Sequence, residues 1–155
     1  MNHLLSFLQS HKLLALATTD ASGAWIANVY ATADEKGTMY FVSSENTRHS
    51  QMILKNPSVA FSMAWFDPMN HKNRKGVQGT GICRPAQTDE EITKGIALHN
   101  AHFPEFKDRI TVVWIKHNER RSKVWLLTPD FVKYWDDEVY GEDENKEFIF
   151  NRSTS

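Results

Sequence analysis

Residues 38–66 read TMYFVSSENTRHSQMILKNPSVAFSMAWF. The run TMYFVS is rich in aromatic and β-branched residues and reads as a strand. SVAFSMAWF, at 58–66, reads as another. Between them, Asn46 or Thr47 can cap a short helix that runs to Lys55. Asn56-Pro57 stops it, because proline cannot continue a helix and pushes its predecessor extended. The stretch is therefore strand, one short helix, strand. Its chemistry lies at the handover. A helix N-terminus carries partial positive charge and favours acidic residues, yet this one begins with Arg48 and His49. Ser43, Ser44 and Thr47 add hydroxyls, and the first turn adds free N–H groups. Such a donor set suits an anion, above all a phosphate monoester. The alternative is a solvated Arg and His on a surface helix. That misfit costs only ~0.3–1 kcal/mol, so the pattern alone leaves both readings open.

The same punctuation continues in both directions. Asn2 is expected to cap a helix through about Lys12, with Leu4, Leu5, Phe7 and Leu8 on its apolar face. LLALATT (13–19) reads as a buried strand, DASG (20–23) as a turn, and WIANVYATA (25–33) as a second strand. DEKG (34–37) is a hairpin turn leading into TMYFVS. Beyond residue 66, DPMNHKNRKG reads as a polar loop and VQGTGICRPAQ as a strand. Gly79 and Gly81 imply a bulge or a close backbone approach there. Thr88 with Glu91 forms a capping box for a helix to about Ala101. HFPEF (102–106) is a bounded loop, and RITVVWI (109–115) and KVWLL (123–127) are expected strands around an NERRS turn. From Asp136 to Glu147 the chain is acidic, as in a solvated tail.

Six or so strands with short turns and brief helices predict a mainly β protein built on a small antiparallel barrel. Strands do not alternate with long helices, which excludes a doubly wound sheet. At 155 residues the chain fits one domain, expected over 1–137, with 138–155 as an acidic C-terminal tail. A domain of that size buries ~68–70% of its unfolded surface, enough for an unstapled core. The formal net charge of −1 lacks the basic footprint of a dedicated nucleic-acid binder. The one cysteine, Cys83, excludes an intrachain disulfide and reads as a small buried hydrophobe. No segment has the ~18 apolar residues of a membrane span and no signal sequence is evident, so a cytoplasmic protein is the expectation.

The order of these landmarks resembles the pyridoxamine-phosphate-oxidase-like, FMN-binding split barrels. LLALATTDASGAWIANVY is similar to that family's opening hairpin. DEKGTMYFVSS followed by TRH resembles its strand, hydroxyl and "S-R-K" element. NPSVA matches the "NP-x-V-A" restart, and GVQGTG the following strand. HFPEF and LLTPDFVKYWDD resemble the general-stress-protein branch, and T-R-H-x-Q-M a small bacterial branch. The resemblance covers about Leu13 to Asp137. It implies a six-stranded antiparallel split barrel that forms a homodimer with FMN at the interface. By that likeness the FMN phosphate is held by Arg48 and His49, with Ser43, Ser44 and Thr47 beside them. Ala27, Asn28, Val29 and Tyr30 would line the flavin ring, largely through backbone. The implied activity is an FMN-dependent oxidoreduction of a small molecule. Two alternatives stand beside it: a non-catalytic, stress-related flavin or redox-sensing module, and a haem-binding split barrel. Two departures matter. His49 stands where the family has Lys, and the acidic GEDENKEF lacks the Arg-containing motif of the oxidases that act on pyridoxamine phosphate.

Other constellations are weaker. His99 and His102 share a helix face but lack the further ligands a metal centre needs. Lys72, Arg74 and Lys75 read as a solvated basic loop. No G-x-S-x-G elbow or G-x-G-x-x-G turn occurs. No residue is assigned as a protein acid or base, and Trp135 reads either as packing or as a flavin neighbour.

Overall fold

The computed structural model describes residues 1–150. Helix α1 (Asn2–Ser10) precedes strands β1 (Leu13–Asp20), β2 (Gly23–Ala33) and β3 (Met39–Ser44). Helix α2 (Arg48–Lys55) leads to the long hairpin of β4 (Ser58–Asp67) and β5 (Asn70–Pro85). Helix α3 (Asp89–His102), a 3-10 turn (Pro104–Phe106) and α4 (Val112–His117) follow. Strand β6 (Ser122–Asp136), α5 (Asp137–Tyr140) and β7 (Lys146–Ile149) complete the described chain.

All strand pairs are antiparallel, in the order β3-β2-β1-β4-β5-β6-β7. β3 also pairs with β6, from Met39↔Leu127 to Ser44↔Ser122. That closure makes a ring of the first six strands, the split barrel that the sequence predicts. The ring is nearly open at one seam. β2 pairs with β3 only over Ala31–Ala33, so the edge of β2 from Gly23 to Tyr30 that faces away from β1 has no strand partner among the described residues. α1 plugs the barrel with Leu4, Phe7 and Leu8, which join Leu14, Leu16, Phe41, Met63, Trp125 and Val132 in the core. A second cluster, Tyr40, Ile96, Ile110, Ile115, Val124 and Leu126, lies outside the barrel under α3 and α4.

Gly79 and Gly81 sit at close approaches. A Cβ on Gly79 would lie 2.4 Å from the Phe61 ring, and one on Gly81 2.4 Å from the Thr128 carbonyl. The β5–β6 register slips between Thr80 and Gly81. Cys83 is fully buried, and burial pushes its thiol up to about 12.

Four local expectations change. Asn2 is the first residue of α1 rather than its cap, and the helix stops at Ser10. RITVVWI is not a strand. Its run of β-branched residues winds as α4, because Thr111 Oγ1 caps the Trp114 N–H at 3.1 Å and Ile115 packs into the outer cluster. The polar 67–76 segment extends the β4–β5 hairpin. Its turn is held by the Asp67 carboxylate and the Asn70 side-chain amide oxygen, which accept the Met69 and Lys72 N–H groups. Lastly, the acidic stretch is structured as far as Phe150. Phe148 on β7 is 8% exposed and belongs to the main core. The acids of α5 answer the hairpin's cations. Arg74 binds Asp137 at 3.0 Å and Asp143 at 3.1 Å, and Lys75 binds Glu138 and Asp136. Residues 151–155 of the expected tail lie outside the described residues.

Candidate functional site

The open seam of the barrel is where α2 begins. Thr47 caps it: its Oγ1 accepts the Ser50 N–H at 3.3 Å and donates to the Ser44 carbonyl at 3.0 Å. The first turn contains no acidic residue. The N–H groups of that turn and the Arg48 guanidinium therefore add their positive potential with no acidic side chain in the turn itself.

Arg48 is exposed and sits over the Trp25 ring of β2, with its guanidinium carbon 4.3 Å from the ring centroid. It makes no ion pair among the described residues. Its charge is nonetheless felt by Asp20, whose carboxyl is held low first by hydrogen bonds from Ser22 and then by Lys55 and Arg48. The Trp25 platform matters geometrically. Cation–π contact on an aromatic face fixes a long side chain that would otherwise sweep solvent. Its five N–H donors stay free for an anion.

His49 points the other way. It is buried, with Nε2 2.8 Å from Ser43 Oγ and 3.1 Å from Thr47 Oγ1. Burial lowers its pKa, so the ring is neutral at pH 7. Ser43 is itself anchored, since its carbonyl accepts the Trp125 indole N–H at 3.0 Å. Structure thus gathers Ser43, Thr47 and His49 into one hydroxyl–imidazole cluster behind Arg48. Ser44 does not join it. Its hydroxyl donates to the Arg120 carbonyl at 2.6 Å, on the other side of β3.

The β2 residues divide by the strand's alternation. Val29 is buried in the core and Ala27 is half-buried on the same face. Asn28 and Tyr30 point outward and are exposed, with Tyr30 against Phe103 at 5.1 Å between ring centroids. Trp25 was absent from the set that sequence reasoning favours. Its signal was its place two residues before Ala27, on the same face and at the mouth of the seam.

Outside the seam, His102 ties α3 to its surroundings: Nδ1 meets Thr32 Oγ1 at 3.0 Å and Nε2 meets the Gln9 carbonyl at 2.7 Å. His99 is buried beside Asn100. Trp135 packs over Gly76, where a Cβ would lie 2.3 Å from the indole. It also lines a polar cavity of about 230 Å³ with Arg74, Gln78, Lys133 and Asp137. No helix among the described residues is long and apolar enough to cross a membrane.

Comparison with known proteins agrees with this architecture. A UPF0306 protein of Yersinia enterocolitica is 29% identical over 134 residues, 83% of this chain and 88% of that protein. The crystal structure of Campylobacter jejuni ChuZ superposes with a TM-score of 0.73 at 15% identity, over 96% of this chain and 58% of that one. HutZ, described as a haem storage protein of Vibrio cholerae, gives 0.65 at 21% identity, over 96% and 92%. At those identities the two structures speak to the fold alone. The family model described as pyridoxamine 5'-phosphate oxidase matches residues 2–136, and by that match the chain belongs to the pyridoxamine 5'-phosphate oxidase family.

Proposed function

We propose that this protein binds FMN at the open seam between β2 and α2 and works as an FMN-dependent oxidoreductase on a small molecule. The observation that carries the reading is Arg48: a fixed, unpaired guanidinium at an acid-free helix N-terminus, seated over Trp25 of the unpartnered strand edge. In this reading the phosphate takes the Arg48 fork and the first-turn N–H groups of α2. Ser43 and Thr47 supply hydroxyls whose orientation His49 maintains as a neutral hydrogen-bond partner. The free N–H and C=O groups of β2, from Ala27 to Tyr30, suit the polar edge of a flavin ring. Bound FMN would supply hydride or single-electron transfer, and the protein's part is to hold and orient it.

A second copy of the chain would cover the outward face of β2, β1 and β4. Rows such as Ile26–Ala17–Ala60 and Asn28–Ala15–Ser62 cross that face without a charge. Leu13, Ile26 and Tyr30 are 55%, 65% and 56% exposed on it. Sheet faces turned to water alternate polar residues outward, so an uncharged face of this kind fits a homodimer interface.

Titration of FMN into the purified protein, followed by absorption and flavin fluorescence, tests the reading. Wild type is expected to bind, and Arg48→Ala to bind at least about tenfold more weakly, or about 1.4 kcal/mol. Equal affinity in the two would remove the phosphate assignment. A second reading, haem binding, draws on ChuZ-like and HutZ-like neighbours in fold, one of them described as a haem storage protein. It predicts a Soret band on adding haemin and no FMN saturation.

A further inference from the structure

We infer that a second binding site, for a small aromatic anion, lies on the opposite side of β3 from the flavin seam. A cavity of about 370 Å³ opens there, lined by Ser44, Arg109, Ile110, Trp114, Arg120 and Ser122, and reaching Val42 and Ser43 of the intervening strand. That volume lies within the range of small-ligand pockets. Its composition is one-sided: two guanidiniums, an indole, an aliphatic wall and hydroxyls, with no carboxylate.

Neither arginine is engaged by an acid among the described residues. Arg109 only rests on the Phe106 ring, at 5.3 Å, and the Arg120 side chain has no partner there. The acid next to Ser44 in the chain, Glu45, is already taken by Arg121 and Lys123. Ser122 adds a hydroxyl to the cavity wall that no other group of the described residues engages, open to a ligand seated between the arginines.

The walls are also held in place. Asn118 Nδ2 donates to the carbonyls of Trp114, Ile115 and Ser122, and its Oδ1 accepts the Ser122 N–H. Ser44 Oγ donates to the Arg120 carbonyl, and Asn100 Nδ2 to that of Ile110. Arg121 takes the left-handed conformation, φ 54°, to turn the chain between Arg120 and Ser122. A frame fixed by these bonds, around guanidiniums that no acid engages, sets an anion site before its ligand arrives. Two guanidiniums select the charge, and the Trp114 and Ile110 walls select a flat apolar body.

The test uses phenyl phosphate as probe, with inorganic phosphate and benzyl alcohol as its two halves, measured by calorimetry. Wild type is expected to bind phenyl phosphate, and each half at least about tenfold more weakly. The double variant Arg109→Gln/Arg120→Gln should lose at least about tenfold in affinity, whereas Arg48→Ala should keep the binding component that the double variant loses. Both arginines are exposed, and an unchanged melting temperature of the double variant checks that the fold is intact. Loss of binding in Arg48→Ala with retention in the double variant would put the probe in the flavin seam and overturn the assignment. So would the absence of measurable binding to wild type. Inorganic phosphate binding as tightly as phenyl phosphate would remove the aromatic half. FMN affinity should be indifferent to the double variant, so failure here and failure of the flavin reading are separate results.

Discussion

His49 occupies a position where charge would be useful and is instead kept neutral. Its ring is buried against Ser43 and Thr47, and that burial alone lowers its pKa below the usual 6.5. The consequence has a definite sign. Between the folded and unfolded values, the unfolded chain holds more protons on this residue than the folded one. Stability therefore falls as pH drops below about 6.5, because protonation favours the unfolded form. His99 is shifted in the same direction, chiefly by burial. The variant His49→Gln, which keeps a hydrogen-bonding amide, should show a shallower loss of melting temperature between pH 7.5 and pH 5.5 than wild type. An equally steep loss would mean that other groups dominate acid sensitivity. The donors were legible in the sequence because caps and helix termini are local: Thr47 lies one residue before the helix and Pro57 just after it. The neutrality of His49 was not legible. It follows from the docking of α2 on the barrel, which brings His49 beside Ser43 and Phe41 of β3, and no spacing reports that.

At the scale of elements, local chemistry and tertiary packing compete, and packing decides the marginal cases. Gly79 and Gly81 marked close approaches that the barrel uses, since backbone constraints act on the residue itself. RITVVWI misled because β-propensity is mostly a statement about packing surroundings. Under the barrel's outer wall, the amphipathic fit of Ile115 and the Thr111 cap outweigh it. The stretch after Asp136 misled in the opposite sense. Its charges suggested solvation, but they pair with Arg74 and Lys75 of the hairpin, and that pairing lays β7 against Phe131–Tyr134. Phe148 is the apolar anchor of the arrangement. Phe148→Ala should cost ~3 kcal/mol, the low end for a buried Phe because β7 is short and lies at the sheet edge. Chemical denaturation measures it. A loss well under 1 kcal/mol would show that β7 is held by its hydrogen bonds and ion pairs alone.

At the scale of the whole molecule, the barrel satisfies its inner face but leaves one outer face unexplained by the single chain. α1 plugs the interior, and α3 and α4 cover β3 and β6. Apart from Phe103 against Tyr30 at one end, nothing within the described chain covers the outward rows of β2, β1 and β4, where Ala15, Ala17, Ala60 and Ser62 form a shallow, uncharged centre between Ile26, Leu13 and Tyr30. In a twofold dimer the same patch meets itself, so a residue near its middle faces its own copy. A carboxylate placed there would be doubled, desolvated and unpaired, at a cost of several kcal/mol to association. Ala60 is exposed in the single chain, so Ala60→Glu leaves the core untouched. Sedimentation at micromolar concentration should give a dimer for wild type and a monomer for Ala60→Glu, with unchanged far-UV circular dichroism. FMN titration of the same variant then reads how the site depends on assembly. Affinity lost together with the dimer would mean that the partner copy completes the seam, whereas full affinity in a monomer would confine the site to Arg48, Trp25 and the β2 edge of one chain. A wild-type monomer would sink the interface proposal outright and leave the uncharged face without an occupant.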